Sequence, residues 1–214
     1  MTSLSDVEFV VRTIAQTAVD NEKYFGDLDA VVGDGDLGYS LARGFEIVLA
    51  DWDSYDRTDI SSFLSKVAIA ITSRIGGTSG PIWGTAFLRA AAVARGKTEI
   101  NGDDVVAMLR AAITGIMARG NAELGDKTLL DVLAPLADTV EAELVGGSSA
   151  SEIFTAAAQT ARSAADATTP MIARRGRAAY TGERSIGSPD AGGVAVAVIV
   201  EALASNWDSR ESAS

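Results

Sequence analysis

Apolar residues recur at three- and four-residue spacing through nearly the whole chain, and glycine-rich breaks cut that pattern into segments. This is the feature that most limits the fold. Val7, Val10, Val11, Ile14, Ala15 and Ala18 mark the first apolar face, at the period of an α-helix. Ser5-Asp6 looks like its N-terminus, and it ends near Glu22. A second helix opens at Gly38 and carries Leu41, Phe45, Val48 and Leu49; a third, capped by Asp59, carries Phe63, Val67, Ile69, Ala70 and Ile71. A fourth runs from Ile82 to about Arg95, with Gly96 as its stop. A fifth runs from Asn101 through Val105, Met108, Leu109, Ile113 and Ile116 to Gly120. The sixth, led by Gly125-Asp126-Lys127-Thr128, holds Leu129, Val132, Leu133 and Leu136; Pro135 either kinks it or marks its true start. An alanine-rich seventh spans Ser151 to about Ala167, and the last runs from about Val194 to Ala204. The tail after Trp207 is expected to fray. About eight helices with short connections and no strand ladder predict an all-α single domain over residues 1–214, arranged as a helical barrel or bundle.

Chemistry concentrates in the breaks. Asp29-Ala30-Val31-Val32-Gly33-Asp34-Gly35-Asp36-Leu37-Gly38 places three carboxylates within a few positions of one another. Like charges this close repel unless a cation sits among them. In an extended segment Asp34 and Asp36 point the same way, and hard oxygen donors on a tight loop suit Mg²⁺ or Ca²⁺. An acidic surface turn is the plain alternative, because Asp-Gly is ordinary turn chemistry. Gly33 to Gly38 also fits the dinucleotide fingerprint G-x-G-x-x-G and follows a short β-like run. Two carboxylates would then face a pyrophosphate that needs bare N–H groups, and the chain lacks strand–helix alternation. An EF-hand counted from Asp34 would need Gly at Tyr39 and Glu at Phe45. Gly96-Lys97-Thr98 resembles a P-loop end, but the first glycine of that motif falls on Ala91.

Two further breaks stand out. Gly76-Gly77-Thr78-Ser79-Gly80-Pro81 is either a capped turn or a phosphate contact. The stretch from Arg174 to Gly193 holds Arg174, Arg175, Arg177 and Arg184 on an otherwise acidic chain. It is either a solvated surface or an ordered loop that sends arginine onto phosphate oxygens. In an up-and-down arrangement alternate connections share one end, which gathers Asp29, Asp34 and Asp36 with Thr78, Ser79, Gly120 and Arg177. Gly38 at a helix start adds N–H groups that favour an anion.

Composition narrows the chemistry. The chain has 29 Asp and Glu against 18 Lys and Arg, a net charge of −11, which argues against nucleic acid or an anionic membrane as partner. With no His and no Cys, catalytic triads, thiol nucleophiles and zinc sites lack their residues. The absence of Cys agrees with a cytoplasmic location. The N-terminus lacks a signal-peptide pattern, and no stretch approaches the roughly 20 apolar residues of a membrane span.

Four motifs together carry a family resemblance. These are Leu28-Asp29-Ala30 with Gly33-Asp34-Gly35-Asp36, Gly76 to Pro81 with Gly84-Thr85, Gly125-Asp126-Lys127-Thr128, and Gly176-Arg177-Ala178-Ala179-Tyr180 with Gly182 to Gly187. In that order they resemble the nucleotide-binding L subunit of dihydroxyacetone kinase over nearly the whole chain. The resemblance implies a barrel of eight antiparallel helices with ADP or ATP at one end and two Mg²⁺ ions on Asp29, Asp34 and Asp36. It also implies nucleotide contacts at Leu37, Gly38, Tyr39, Ser40, Thr78, Ser79, Gly120, Leu129, Arg177, Asp190, Ala191 and Gly192. The chain departs from the family at Leu37, where His or Thr is usual, and in the wording of 187–192. The implied activity is Mg²⁺-assisted phosphoryl transfer to dihydroxyacetone or a longer ketose such as erythrulose. The acceptor sits on a separate K subunit, whose histidine binds the ketose covalently. In some relatives a phosphotransferase-system M subunit rephosphorylates a fixed ADP; in others ATP exchanges. The other readings are a nucleotide-loaded regulator that binds a transcription factor, and a purely structural Mg²⁺-clamped domain.

Overall fold

A computed structural model of the chain describes residues 1–74 and 79–213. Its helices are α1 Leu4–Asp20, α2 Glu22–Asp29, α3 Leu37–Ala50, α4 Ile60–Arg74, α5 Ser79–Val93, α6 Gly102–Gly120, α7 Leu130–Gly146, α8 Ala150–Ala167 and α9 Ala191–Asn206. Sheet among the described residues is one antiparallel two-residue ladder, β1 Thr2–Ser3 on β2 Glu99–Ile100. The all-α expectation holds.

Local chemistry explains most helix starts. Capping boxes begin α1 at Ser3 with Asp6, α6 at Asn101 with Asp104, and α8 at Ser149 with Glu152. Each satisfies first-turn N–H groups that the helix itself leaves without partners. Asp59 accepts from Ser62 N at 2.6 Å to start α4, and its other oxygen accepts from Gly96 N at 2.8 Å beyond α5. One carboxylate thereby ties the start of α4 to the turn after α5.

Neighbouring helices pack in chain order. α3 lies on α4, α4 on α5, α5 on α6, α6 on α7, α7 on α8 and α8 on α9, while α1 packs on both α3 and α9. Among the described residues the core forms three clusters. Phe25, Leu41, Phe45, Ile60, Phe63 and Val67 belong to the first. Val132, Leu136, Val140, Ala161, Val194 and Ala197 belong to the second, and Trp83, Val105 and Val198 touch both. The third is smaller and holds Ile113, Ile116, Leu130 and Ala137. Each large buried side chain contributes about 1.5–3 kcal/mol. The buried face of α8 is Ala157, Ala158, Ala161 and Ala165, small enough for α7 and α9 to approach closely. α9 is apolar on nearly every side, with Val194 to Ala197, Ile199 and Val200 buried, as a helix enclosed by others must be.

Three local expectations change. α1 stops at Asn21, and a separate short helix, α2, carries the chain to Asp29. Ala30 to Val32 form turns rather than a β-like run, because their N–H groups bond back to Gly26, Leu28 and Asp29 carbonyls at 2.9–3.3 Å. Pro135 lies within α7 and not at its start. At the C-terminus a 3₁₀ helix covers Trp207–Ala213, with Trp207 buried against Phe9 and Phe154.

Candidate metal and anion site

The acidic loop joins α2 to α3. Asp29 ends α2, Asp34 and Asp36 follow the turn, and Asp36 directly precedes α3. One carboxylate oxygen from each of Asp29, Asp34 and Asp36 lies within 4.8 Å of the others. Gly33 makes the cluster possible, since a Cβ there would stand 2.3 Å from Asp29 Oδ1. Gly38 allows α3 to cross α2, since its Cβ would stand 1.9 Å from the Glu22 carbonyl. Gly35 has φ +77, the left-handed region that glycine tolerates best. Desolvation, with Asp34 and Asp29 alongside, raises the Asp36 carboxyl above its ordinary range, while Arg177 pulls it down. Three hard, mutually repelling oxygens at this spacing fit a small divalent cation.

The arginine-rich loop meets this cluster. Arg177 Nη1 lies 2.5 Å from Asp34 Oδ2. Asp36, the residue before α3, makes no side-chain capping bond, and the first turn of α3 with its dipole faces the same corner. Leu37 N approaches Asp29 Oδ2 at 3.4 Å, while the Leu37 side chain packs on the core.

Asp190 caps α9 through Gly193 N at 2.7 Å. Although the residue keeps some exposure, its carboxyl is desolvated, which pushes it up to about 7. The Gly193 N–H and Lys127 oppose that rise, and Asp131 and Asp29 add to it. Leu129 packs in one cluster with Leu28, and a Cβ on Gly192 would lie 3.7 Å from Leu129 Cβ. The loops after α2, α6 and α8 therefore converge, bringing Asp29, Asp34, Asp36, Leu37, Leu129, Arg177, Asp190, Ala191 and Gly192 to one end.

Other expected residues sit apart or lie outside view. Tyr39 is exposed, with the Arg43 guanidinium 5.3 Å from its ring centroid. Ser79 opens α5 and Gly120 closes α6; Gly120 abuts Ile82, where a Cβ would stand 3.3 Å from Ile82 Cδ1. Neither forms a hydrogen bond to the carboxylate cluster among the described residues. Thr78 lies outside the described residues.

The loop architecture depends on a residue to which sequence reading gave no role. Lys127 is 2% exposed, and its Nζ donates to the carbonyls of Ser185 (2.5 Å), Ser188 (2.7 Å) and Met171 (3.1 Å). Desolvation lowers its pKa, while Asp190 raises it. Asp126 accepts from Glu123 N and pairs with Arg175 at 3.0 Å, and Asp131 accepts from Thr128 N at 2.8 Å. Gly125-Asp126-Lys127-Thr128 is thus the knot that fixes the arginine loop. In the sequence it figured only as the lead-in to a helix and as one of the four motifs that carry the resemblance, with no role for the lysine itself.

Comparison with known proteins identifies the family. Residues 31–205 match the DAK2 domain. The chain is 36% identical over 182 residues to the "PEP-dependent dihydroxyacetone kinase, ADP-binding subunit DhaL" of Escherichia coli, covering 85% of this chain and 87% of that one. It is 36% identical over 196 residues to the "L-erythrulose 1-kinase" of Mycolicibacterium smegmatis, covering 91% of this chain but 34% of that longer protein. The fold matches the dihydroxyacetone kinase of C. freundii, crystallised with AMP-PNP and Mg²⁺, at TM-score 0.74 and 24% identity, over 92% of this chain and 33% of that one. The chain belongs to the DAK2-domain family and, within it, to the DhaL-type subunits of dihydroxyacetone kinases. No helix among the described residues is long and apolar enough to cross a membrane.

Proposed function

We propose that this chain is the nucleotide-binding subunit of a cytoplasmic ketose kinase, holding ADP or ATP through two Mg²⁺ ions on Asp29, Asp34 and Asp36. The observation that carries this reading is the approach of those three carboxylates to within 4.8 Å, with Arg177 on Asp34. Bound Mg²⁺ would supply charge neutralisation on the phosphates. Arg177, already directed into the corner, offers a guanidinium to phosphate oxygens. The first turn of α3, at Leu37, Gly38, Tyr39 and Ser40, offers N–H groups. Leu129, Ala191 and Gly192 give an apolar wall for a base, and Thr78, Ser79, Gly120 and Asp190 complete the proposed contacts. The order of helix packing, with α1 against α9, supports a closed eight-helix barrel in which α2 is an insert.

The likeness to DhaL-type subunits supports an acceptor held and activated on a separate K subunit through its histidine, a residue type this chain lacks. Dihydroxyacetone and erythrulose are both candidate acceptors. The E. coli relative is named PEP-dependent, which supports a relay through a phosphotransferase-system M subunit that recharges bound ADP.

Mass spectrometry of the protein as purified tests the first step: ADP or ATP is expected to co-elute, and to be lost with Asp34→Ala. Mg²⁺ should raise the melting temperature of the wild type but not of Asp34→Asn/Asp36→Asn. A bare protein that ignores Mg²⁺-ADP at millimolar concentration refutes the reading. Turnover of L plus K with ATP alone excludes an obligatory relay.

A further inference from the structure

A second charged feature lies on the side of the molecule, along α4, α5 and α6. Close contacts sink α5 between its neighbours. A Cβ on Gly84 would stand 2.0 Å from Thr72 Oγ1 of α4, and one on Gly115 of α6 would stand 2.5 Å from Arg89 Cγ. The outer face of α5 becomes the floor of a groove of about 510 Å³ whose shoulders are α4 and α6. Leu88, Ala92 and Ala118 line it, and Leu88 is 53% exposed. Ile69, 60% exposed, continues the row of Ser61 and Ser65 along α4.

Arg89, Arg95 and Arg119 also line this groove. None of them forms an ion pair among the described residues, and neither do Arg12, Arg174 and Arg184, whereas Arg43, Arg57, Arg110, Arg162, Arg175, Arg177 and Arg210 do. Unpaired guanidinium groups collected on a chain of net charge −11 are a local exception to its field. They do not converge on a point. Arg95 lies beyond the C-terminal end of α5, and the Arg89 stem lies over Gly115. Arg119 sits one turn further along α6. The floor between Thr85 and Val93 is about 12 Å long at 1.5 Å per residue. Spaced cations beside an apolar floor suit a row of carboxylates flanking aliphatic side chains better than one compact anion.

We propose that this groove docks an acidic amphipathic helix of a partner protein, with its aliphatic stripe on Leu88, Ala92 and Ala118 and its carboxylates on Arg89, Arg95 and Arg119. The proposal is independent of the nucleotide site, which lies at the end of the molecule and shares none of these residues.

The test uses the full chain and a fluorescein-labelled helical peptide of about 18 residues built from Glu and Leu, with Leu at helical spacing. Anisotropy should report binding that weakens with added salt. Arg89→Glu/Arg119→Glu should weaken it roughly tenfold or more, and Arg89→Gln/Arg119→Gln by less. Lys66→Glu, outside the groove, should leave it unchanged. Amide NMR shifts should map to Ser61, Ser65, Leu88, Ala92 and Ala118, and bound nucleotide should be retained in every variant. Equal binding by the charge-reversed variant, or shifts confined to Arg174–Arg184, overturns the proposal. So does displacement of the peptide by millimolar inorganic phosphate with the same shifts, which would make this a small-anion site. A dimer in sedimentation that Arg89→Glu/Arg119→Glu disperses also overturns it, because the occupant would then be a second copy.

Discussion

Arg177 and Asp34, far apart in the chain, meet at 2.5 Å where the loop after α8 closes over the loop after α2. Arg177 stays 62% exposed and Asp34 35%, so the pair itself adds little to stability. Its value is positional, because it aims a guanidinium at the corner formed by the three carboxylates. Arg177→Gln should therefore leave the melting temperature within about 2 °C while weakening Mg²⁺-nucleotide binding roughly tenfold. Calorimetric titration checks it. An unfolded variant, or one with unchanged affinity, contradicts this role.

Lys127 should behave in the opposite way. Its three carbonyl acceptors are drawn from residues 171 to 188, and Met in its place leaves them without their donor. A loss of about 3 kcal/mol is expected, with hydrogen exchange accelerating first in 171–188. Lys127→Arg carries the charge but not the compact ammonium and should recover only part. The measurements are denaturant melts and exchange mass spectrometry, and equal protection of that segment in Lys127→Met would remove the assigned role.

Gly38→Ala tests the α2–α3 crossing. The added Cβ would meet the Glu22 carbonyl at 1.9 Å and Gly26 N at 2.6 Å, both backbone atoms that cannot swing aside. Overpacking of this kind costs about 1–3 kcal/mol or more, or several degrees in melting temperature. It should also move Asp29 relative to Asp36, so Mg²⁺ stabilisation should fall along with the melt. A variant as stable as the wild type would mean that the crossing is looser than described.

Asp190 predicts a pH dependence. Its folded pKa is raised to about 7 from 3.8, so the folded state holds the proton more tightly than the unfolded chain does. The resulting stability is complete below the unfolded value and is lost as pH rises through about 7. Between about pH 5 and pH 8 the wild type should lose stability that Asp190→Asn, which retains the cap on Gly193 N, does not lose. Parallel pH profiles for the two proteins would count against a desolvated carboxyl at this position.

The helices were legible because each start and stop is written locally. Asn101 at the start of one helix and Asp59 before Ile60 are short-range signals that the packed structure keeps, while the helix expected from Ser151 is capped two residues earlier, by Ser149 with Glu152. The carboxylate cluster was legible for a similar reason, since Asp29, Asp34 and Asp36 fall within one turn-rich loop. The break at Asn21 was not, because Glu22 to Asp29 has helical composition on either side of it. Tyr39 was expected at the site from the family resemblance; its ring lies near the Arg43 guanidinium, which leaves its backbone N–H as the proposed contact.

The sequence alone determined most of the helical segments, that alanine and glycine let helices approach closely, and that one loop concentrates negative charge. Periodicity and turn chemistry act over a few residues, so they can be read without knowing the fold. Tertiary structure decided which loops share an end, that Arg177 faces Asp34, that Lys127 ties the arginine loop, and that Arg89, Arg95 and Arg119 line one groove without an ion pair among the described residues. Those pairings join residues dozens of positions apart, and their partners are chosen by how α2, α3, α6 and α8 pack.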